Sequence, residues 1–286
     1  MTIMNKPSGS SPAKESSDVL FKKGESMIQS GNLASALAFF REMLKQSEAE
    51  GIGSQMRNRL YNFSVAIHNG AVQQNSQVGG NLYFSAGLAE LDAEIAIAEM
   101  LLQYEPKAAD LWSGLGLAYD NRGYCEKAER CYRRTIELDP GGITAGDAWL
   151  NIGVLYRNYA RTVRGKDQNG KEIEIPLAGL RKEQLFPTEG STIAIHGNWN
   201  SPHWKTAESA FVQALSIFTK FANADARFRS DVVKAHWNLA QVYTDMLQGS
   251  KAIPHVQAIH RLEPANQKAI DWLKEAEQNT KKKLLD

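Results

Sequence analysis

Between residues 111 and 140 the chain reads LWSGLGLAYDNRGYCEKAERCYRRTIELDP, and its apolar and small positions return every third or fourth residue. That period predicts two amphipathic helices joined by a short turn. Trp112, Leu115 and Tyr119 on the first and Tyr132 on the second fill the space between them. Gly116 and Ala128 are small where the two helices approach closely, and Pro140 ends the second. Gly123 falls at the turn, where left-handed backbone angles carry no Cβ penalty.

The same punctuation recurs along the chain. KKGESMIQSGNLASALAFF places Gly24, Gly31, Ala36 and Phe40 as helix, turn and helix over 17–50. In 57–106, helices are predicted around RNRLYNFSVAIHNGAV and LAELDAEIAIAEMLLQYEP, with QQNSQVGGNLYF as a long link. Trp149, Ile152, Gly153 and Tyr156 repeat the first-helix pattern, whose second helix resumes only at WKTAESAFVQALSIF with Ala207 and Phe211. A last pair, 233–266, carries Leu239, Ala240, Tyr243, Ala252 and Pro264, with Pro254 expected in the first turn of its second helix. QKAIDWLKEAEQNTKKKLLD, 267–284, reads as a capping helix that covers the last pair with Ile270, Leu273 and Ala276. Residues 1–16, rich in Ser, Pro and Lys, are expected to form a flexible tail.

The interruption at 164–203 breaks the helical period. TVRGKDQNGKEIEI centres Asn169-Gly170 between strand-like runs, the signature of a two-residue hairpin turn. IPLAGLRKEQLFP suits a helical turn ended by Pro187, and Thr192, Ile193, Ala194 and Ile195 form a short extended run. Apolar clusters spread through the segment predict that it packs against something. A long structured loop of this kind is usually functional.

The spacing W-x2-L-G-x2-Y at Trp112, Leu115, Gly116 and Tyr119, followed by A-x3-aromatic at Ala128 and Tyr132 and by Pro140, resembles the tetratricopeptide repeat. The resemblance implies an all-α fold: an α-solenoid of about five helical hairpins over 17–50, 57–106, 109–142, 146–221 and 233–266, interrupted by a partly β-hairpin-like insertion. It also implies that the second, fifth, sixth, ninth and twelfth places of each repeat line a concave groove. Those places hold Asn62, Asn151 and Asn238 as a candidate ladder against a peptide backbone, since an amide side chain both donates and accepts. Asn58 and Lys234 add polar contacts; Tyr61, Leu117, Val154 and Trp237 add apolar ones. Each peptide hydrogen bond contributes only about 1 kcal/mol net, so apolar burial has to supply much of the affinity. Where the family clamps an acidic C-terminal tail it uses basic residues and Asn at places that here hold Phe21, Glu25, Asp110 and Gly114. A mixed, partly apolar groove fits a hydrophobic or amphipathic segment better.

Charge and chemistry narrow the reading. Lys and Arg number 33 against 32 Asp and Glu, without the basic excess that multiple phosphate contacts require, so no nucleic acid partner is expected. No apolar run is long enough to span a membrane, and the first residues lack the apolar region of a secretory signal. Cys125 and Cys131, alone on one helix, provide neither a disulfide framework nor a thiolate metal site, which fits a reducing, cytoplasmic setting. His196 and His203 flank GNWNSP as weak metal candidates, without HExxH or a carboxylate set. Phosphate-loop and nucleophile-elbow motifs are absent, and no cofactor is expected. Asp120 and Arg157 could face the groove as a charge pair, although a solvated surface suits them better; His255 and His260 suit structural or exposed positions.

The expected function is therefore non-enzymatic: a scaffold, adaptor or chaperone holding a peptide or amphipathic segment of another protein, with 164–203 as lid or docking surface. Self-association remains open. The competing class is an enzyme or accessory subunit with a site between groove and insertion.

Overall fold

The computed structural model describes residues 15–77, 86–166, 172–178, 194–198 and 200–283. Eleven α-helices follow in order: α1 (Ser17–Gln29), α2 (Leu33–Ala49), α3 (Gly53–Gln77), α4 (Leu88–Leu101), α5 (Ala109–Asn121), α6 (Cys125–Leu138), α7 (Ile143–Tyr159), α8 (His203–Ala224), α9 (Arg229–Asp245), α10 (Gly249–Leu262) and α11 (Gln267–Lys283). Three strands, β1 (Arg161–Lys166), β2 (Glu172–Pro176) and β3 (Ala194–Gly197), lie between α7 and α8. The chain divides into two compact units, one ending at Ile67 and one beginning at His68, so that the division falls inside α3.

In the first unit Ser16 caps α1 by accepting from the Val19 amide at 3.4 Å, and Asn32 caps α2 by accepting from Ser35 at 3.1 Å. Gly31, at φ +75°, makes the turn between them. Phe40 is fully buried against Gly24, and Phe21, Phe40 and Phe63 form a triangle with ring centroids 5.7 to 5.9 Å apart. Arg59 lies over the Phe21 ring at 3.9 Å and pairs with Asp18.

The second unit repeats this plan. Gly116 of α5 faces the buried Tyr132 ring of α6, and Gly123 turns the chain between them at φ +84°. Gly153 of α7 meets Phe211 of α8, and Gly146 meets Phe218, so α7 and α8 are the two helices of one hairpin despite the insertion. Consecutive hairpins stack through α6 on α7 and α8 on α9, while α7 lies beside both α5 and α9. The fold is all-α, with helices paired and stacked as in a solenoid.

Several boundaries differ from the sequence expectation. The helix α3 runs on through Gln73–Gln77, where a link is expected; these polar residues have no periodic apolar stripe, although Asn75 among them is buried. The Asn169-Gly170 turn, the turn ended by Pro187, Thr192, Ile193 and the tail before Glu15 lie outside the described residues. The sheet starts at Arg161, directly after α7, and has order β2-β1-β3, all antiparallel. Central β1 pairs Val163 with Ile175 on one side and Ile195 on the other, so among the described residues β1 and β2 pair as the expected antiparallel neighbours and β3, in the expected extended run, adds a third strand. Pro254 is inside α10 beyond its first turn, where the Ser250 carbonyl forgoes its helical hydrogen bond. In α11 the buried Ala269, with the partly buried Trp272 and the expected Leu273, packs into the apolar cluster of the preceding hairpin.

The sheet packs at one end of the helices. Val163 and Leu177 are buried with Cys125 at the start of α6 and Leu155 of α7, beside Tyr159. Gly197 sits against Asp245 at the end of α9, where an added Cβ would meet its carbonyl oxygen at 3.1 Å. The returning chain is anchored by Trp204, which is 1% exposed and donates its indole N–H to the Asn198 carbonyl at 2.6 Å.

Candidate peptide-docking face

Three of the sequence-selected residues are in the first unit, on α3. The side chains of Asn58 and Asn62 are exposed and hold no hydrogen-bond partner among the described residues, while Tyr61 is half-buried and its carbonyl accepts from the Ser64 hydroxyl at 2.7 Å. Their spacing of four residues puts the two amides on one face of the helix.

The others are in the second unit. Leu117 is half-buried on α5. On α7 and α9 the structure draws several together: Leu150, Val154 and Trp237 all lie partly exposed at the margin of the same apolar cluster, which is built on Trp204, Phe211, Leu239 and Val256. Asn151, one residue from Leu150, has no hydrogen-bond partner among the described residues and is half-buried. Lys268 of α11 stands 4.5 Å over the Trp237 ring, giving the tryptophan a polar edge. The exposed Lys234 forms an ion pair with Asp231 at 2.9 Å, one turn below on α9.

Asn238 departs from the ladder. Its Oδ1 accepts from Arg157 Nη1 at 2.8 Å and its Nδ2 donates to the Lys234 carbonyl at 2.9 Å. Both ends of the amide are thus engaged within the protein, so it positions an arginine. Arg157 itself corrects the solvated reading: burial, with the neighbouring Arg161 charge, pushes its pKa down to about 10. Asp120 is likewise withdrawn from water, its Oδ1 buried without a partner, and burial pushes its pKa up to about 7. The structure gives no Asp120–Arg157 ion pair. Sequence reasoning passed over Arg161 and Asp245, which join at 2.5 Å between β1 and the end of α9. The available signal was two arginines four residues apart, Arg157 and Arg161, without an acid on the same face of their own segment.

The histidines resolve into packing roles where their side chains are described. His203 packs at a tilt against both Tyr156 and Tyr159, with centroids 5.7 and 5.5 Å away, the two tyrosine rings being themselves 5.7 Å apart, and the Tyr156 hydroxyl donates to Glu129 at 2.9 Å. The backbone of His196 pairs with Thr162 in the sheet. His255 faces His236 of α9, Nδ1 to Nδ1 at 2.9 Å, and stacks on Tyr243. His260 Nδ1 is buried without a partner. Among the described residues no three His, Cys, Asp or Glu side chains converge as metal ligands. Cys125 and Cys131 are both buried free thiols. No described helix is long and apolar enough to cross a membrane.

No protein-family model matches the chain, and no curated protein does. Solved structures do resemble it. The C-terminal part of a TPR repeat-containing protein from Cytophaga hutchinsonii is 16% identical over 92% of this chain and 76% of its own, with a TM-score of 0.49. A thermophilic TPR protein from Thermus thermophilus is 14% identical over 91% of this chain and 98% of its own, with a TM-score of 0.43. A MamA mutant is 15% identical over 86% and 97%, with a TM-score of 0.37. The fold follows from this chain's own packing: in three of the hairpins a small residue on the leading helix is seated against an aromatic ring of the following one, at Gly24–Phe40, Gly116–Tyr132 and Gly153–Phe211, which is the packing of a tetratricopeptide-like fold.

Proposed function

We propose that the protein is a non-enzymatic interaction module that binds a peptide segment of another protein on the face formed by α7 and α9. The observation that carries this reading is the row of partly exposed Leu150, Val154 and Trp237 beside the unpartnered amide of Asn151. Apolar area flanked by a free donor and acceptor suits a segment that buries side chains while its backbone keeps hydrogen bonds. Asn58, Tyr61 and Asn62 provide a separate contact row on α3, Leu117 adds apolar surface on α5, and Lys234 adds charge on α9. The sheet, fixed to the ends of α7 and α9 by Val163 and Gly197, acts as a docking surface or lid for the same segment.

The test is selection of peptides from a displayed random library on the full chain, followed by affinity measurement on the winners. Trp237→Ala and Leu150→Asp each weaken binding by roughly tenfold or more, as central anchors do, and Asn151→Ala weakens it by about fivefold, the worth of one hydrogen bond. Replacing Lys166–Asn200 with a Gly/Ser linker lowers affinity while circular dichroism stays helical. Selected peptides that bind all these variants as they bind the parent would refute the docking face.

A further inference from the structure

Many aromatic rings of this protein carry a lysine or arginine of the chain's own over one face. Arg59 lies over Phe21 at 3.9 Å, Lys251 over Tyr243 at 5.6 Å and Lys268 over Trp237 at 4.5 Å. Lys127 serves both Tyr119 and Tyr124, at 5.0 and 5.4 Å. Tyr156, Tyr159 and His203 differ. They form a triangle with centroids 5.5 to 5.7 Å apart, and among the described residues no lysine or arginine stands over any of them. All three are partly open to solvent, at the junction where α7 leads into the sheet and α8 begins. Their planes are inclined by 39 to 67° rather than stacked, so no ring is closed off by a parallel neighbour.

Two carboxylates of α6 complete the group. Glu129 accepts from the Tyr156 hydroxyl at 2.9 Å and pairs with Arg133 at 2.6 Å. Glu126, three residues earlier, is exposed, and its side chain has neither an ion pair nor a hydrogen bond among the described residues. Both acids act on the Tyr159 hydroxyl, which burial, then Cys125, Glu129 and Glu126, hold above the usual tyrosine range. Packing against the sheet accounts for Tyr159, which borders Val163 and Leu177, but not for the open sides of Tyr156 and His203. A tyrosine face carries the negative part of the ring quadrupole and attracts a cation within about 6 Å of its centroid. Clustered rings with a carboxylate at their margin gather that attraction at one place. We propose that Tyr156, Tyr159 and His203, with Glu126 beside them, form a receptor for an alkylammonium group. A guanidinium is planar and stacks best on a parallel face, whereas inclined rings suit a compact, rounded head. The cation comes from a lysine side chain of a partner or from a free amine. The receptor uses none of Leu150, Val154 and Trp237, so it stands or falls independently of peptide docking on α7 and α9.

The test adds tetramethylammonium chloride at pH 8 to the full chain with its tyrosine rings labelled for NMR. The Tyr156 and Tyr159 resonances shift along a saturating curve, while that of Tyr243, already faced by Lys251, stays in place. The neutral molecule of the same shape, tert-butanol, binds about tenfold more weakly, and sodium chloride at matched ionic strength gives no saturation. Glu126→Gln, an exposed change, weakens binding about threefold. Tyr156→Phe keeps the ring and the affinity, whereas Tyr156→Leu loses about tenfold, with the helical circular dichroism of the parent retained in both. Capped tetrapeptides with a central lysine, trimethyllysine or norleucine then separate the sources. A lysine or trimethyllysine peptide that binds more tightly than tetramethylammonium, with the norleucine peptide unbound, assigns the receptor to a partner's side chain. Binding of the free cation without gain from either charged peptide assigns it to a small amine. A linear response, equal binding of tert-butanol and tetramethylammonium, or an affinity unchanged in both Glu126→Gln and Tyr156→Leu would overturn the receptor. Tighter binding of guanidinium than of tetramethylammonium would overturn the assignment to an alkylammonium.

Discussion

Gly153 lies against the ring of Phe211: a Cβ on the glycine would come within 2.5 Å of two ring carbons. Forty-odd residues of insertion separate their helices, roughly the length of a whole repeat, yet the contact is the one that Gly116 makes with Tyr132 in an uninterrupted hairpin. The packing rule of the hairpin is thus indifferent to what connects its two helices.

That contact predicts a sharp contrast among glycines. Gly153→Ala and Gly116→Ala overpack a closed interface and cost about 1–3 kcal/mol. Gly114→Ala, with nothing within 4 Å of the new Cβ, is neutral or stabilises by up to about 1 kcal/mol through helix propensity. Thermal or urea denaturation of the three variants checks the ordering; equal behaviour of Gly153→Ala and Gly114→Ala would contradict it.

Asp120 gives a pH dependence of definite sign. Its folded pKa of about 7 lies above its ordinary 3.8, for the sole reason that its carboxyl is withdrawn from water. The folded state therefore holds a proton that the unfolded state releases between these values, and stability falls as pH rises through that window. Asp120→Asn keeps the shape without the charge, so its melting temperature exceeds that of the wild type at pH 8 and approaches it at pH 4. A constant difference across that range would mean the carboxyl is not the cause.

The His236–His255 pair acts in the opposite direction. Burial, then the charges of His255 and Arg261, push the His236 pKa down to about 4 from 6.5, and burial also pushes His255 down, against the pull of Glu208. The unfolded state takes up protons that the folded state refuses as pH falls from 6.5 through 4, and stability is lost in that interval. Glutamine can still donate to His255 Nδ1, so His236→Gln should melt with a shallower pH slope than the wild type between pH 6.5 and 4. An unchanged slope would locate the acid sensitivity elsewhere.

Arg161 and Asp245 tie the sheet to α9 through side chains only 12% and 19% exposed. Asp245→Asn leaves both Arg157 and Arg161 without an anion and costs about 3 kcal/mol, the low end for a broken buried pair. Arg161→Met with Asp245→Leu removes the charges together and recovers much of that loss. Hydrogen exchange of the β1 amides, faster in the single variant than in the double, reports the same tether locally; equal rates would argue against it.

Repeating small and aromatic positions, read along the chain, were enough to determine the helical hairpins, the placing of Gly116 against Tyr132 and Gly153 against Phe211, and the presence of extended structure inside the fourth hairpin. Periodicity suffices there because each hairpin buries its own stripe against its nearest neighbours in sequence. Only the tertiary structure decided that Asn238 is engaged by Arg157, that Asp120 Oδ1 is buried without a partner, that His203 clusters with two tyrosines, and that Asp245 is taken by Arg161. Those outcomes depend on which charges and rings meet across helices far apart in the chain. A residue type at a groove-facing place has no way to announce the partner that the fold brings to it.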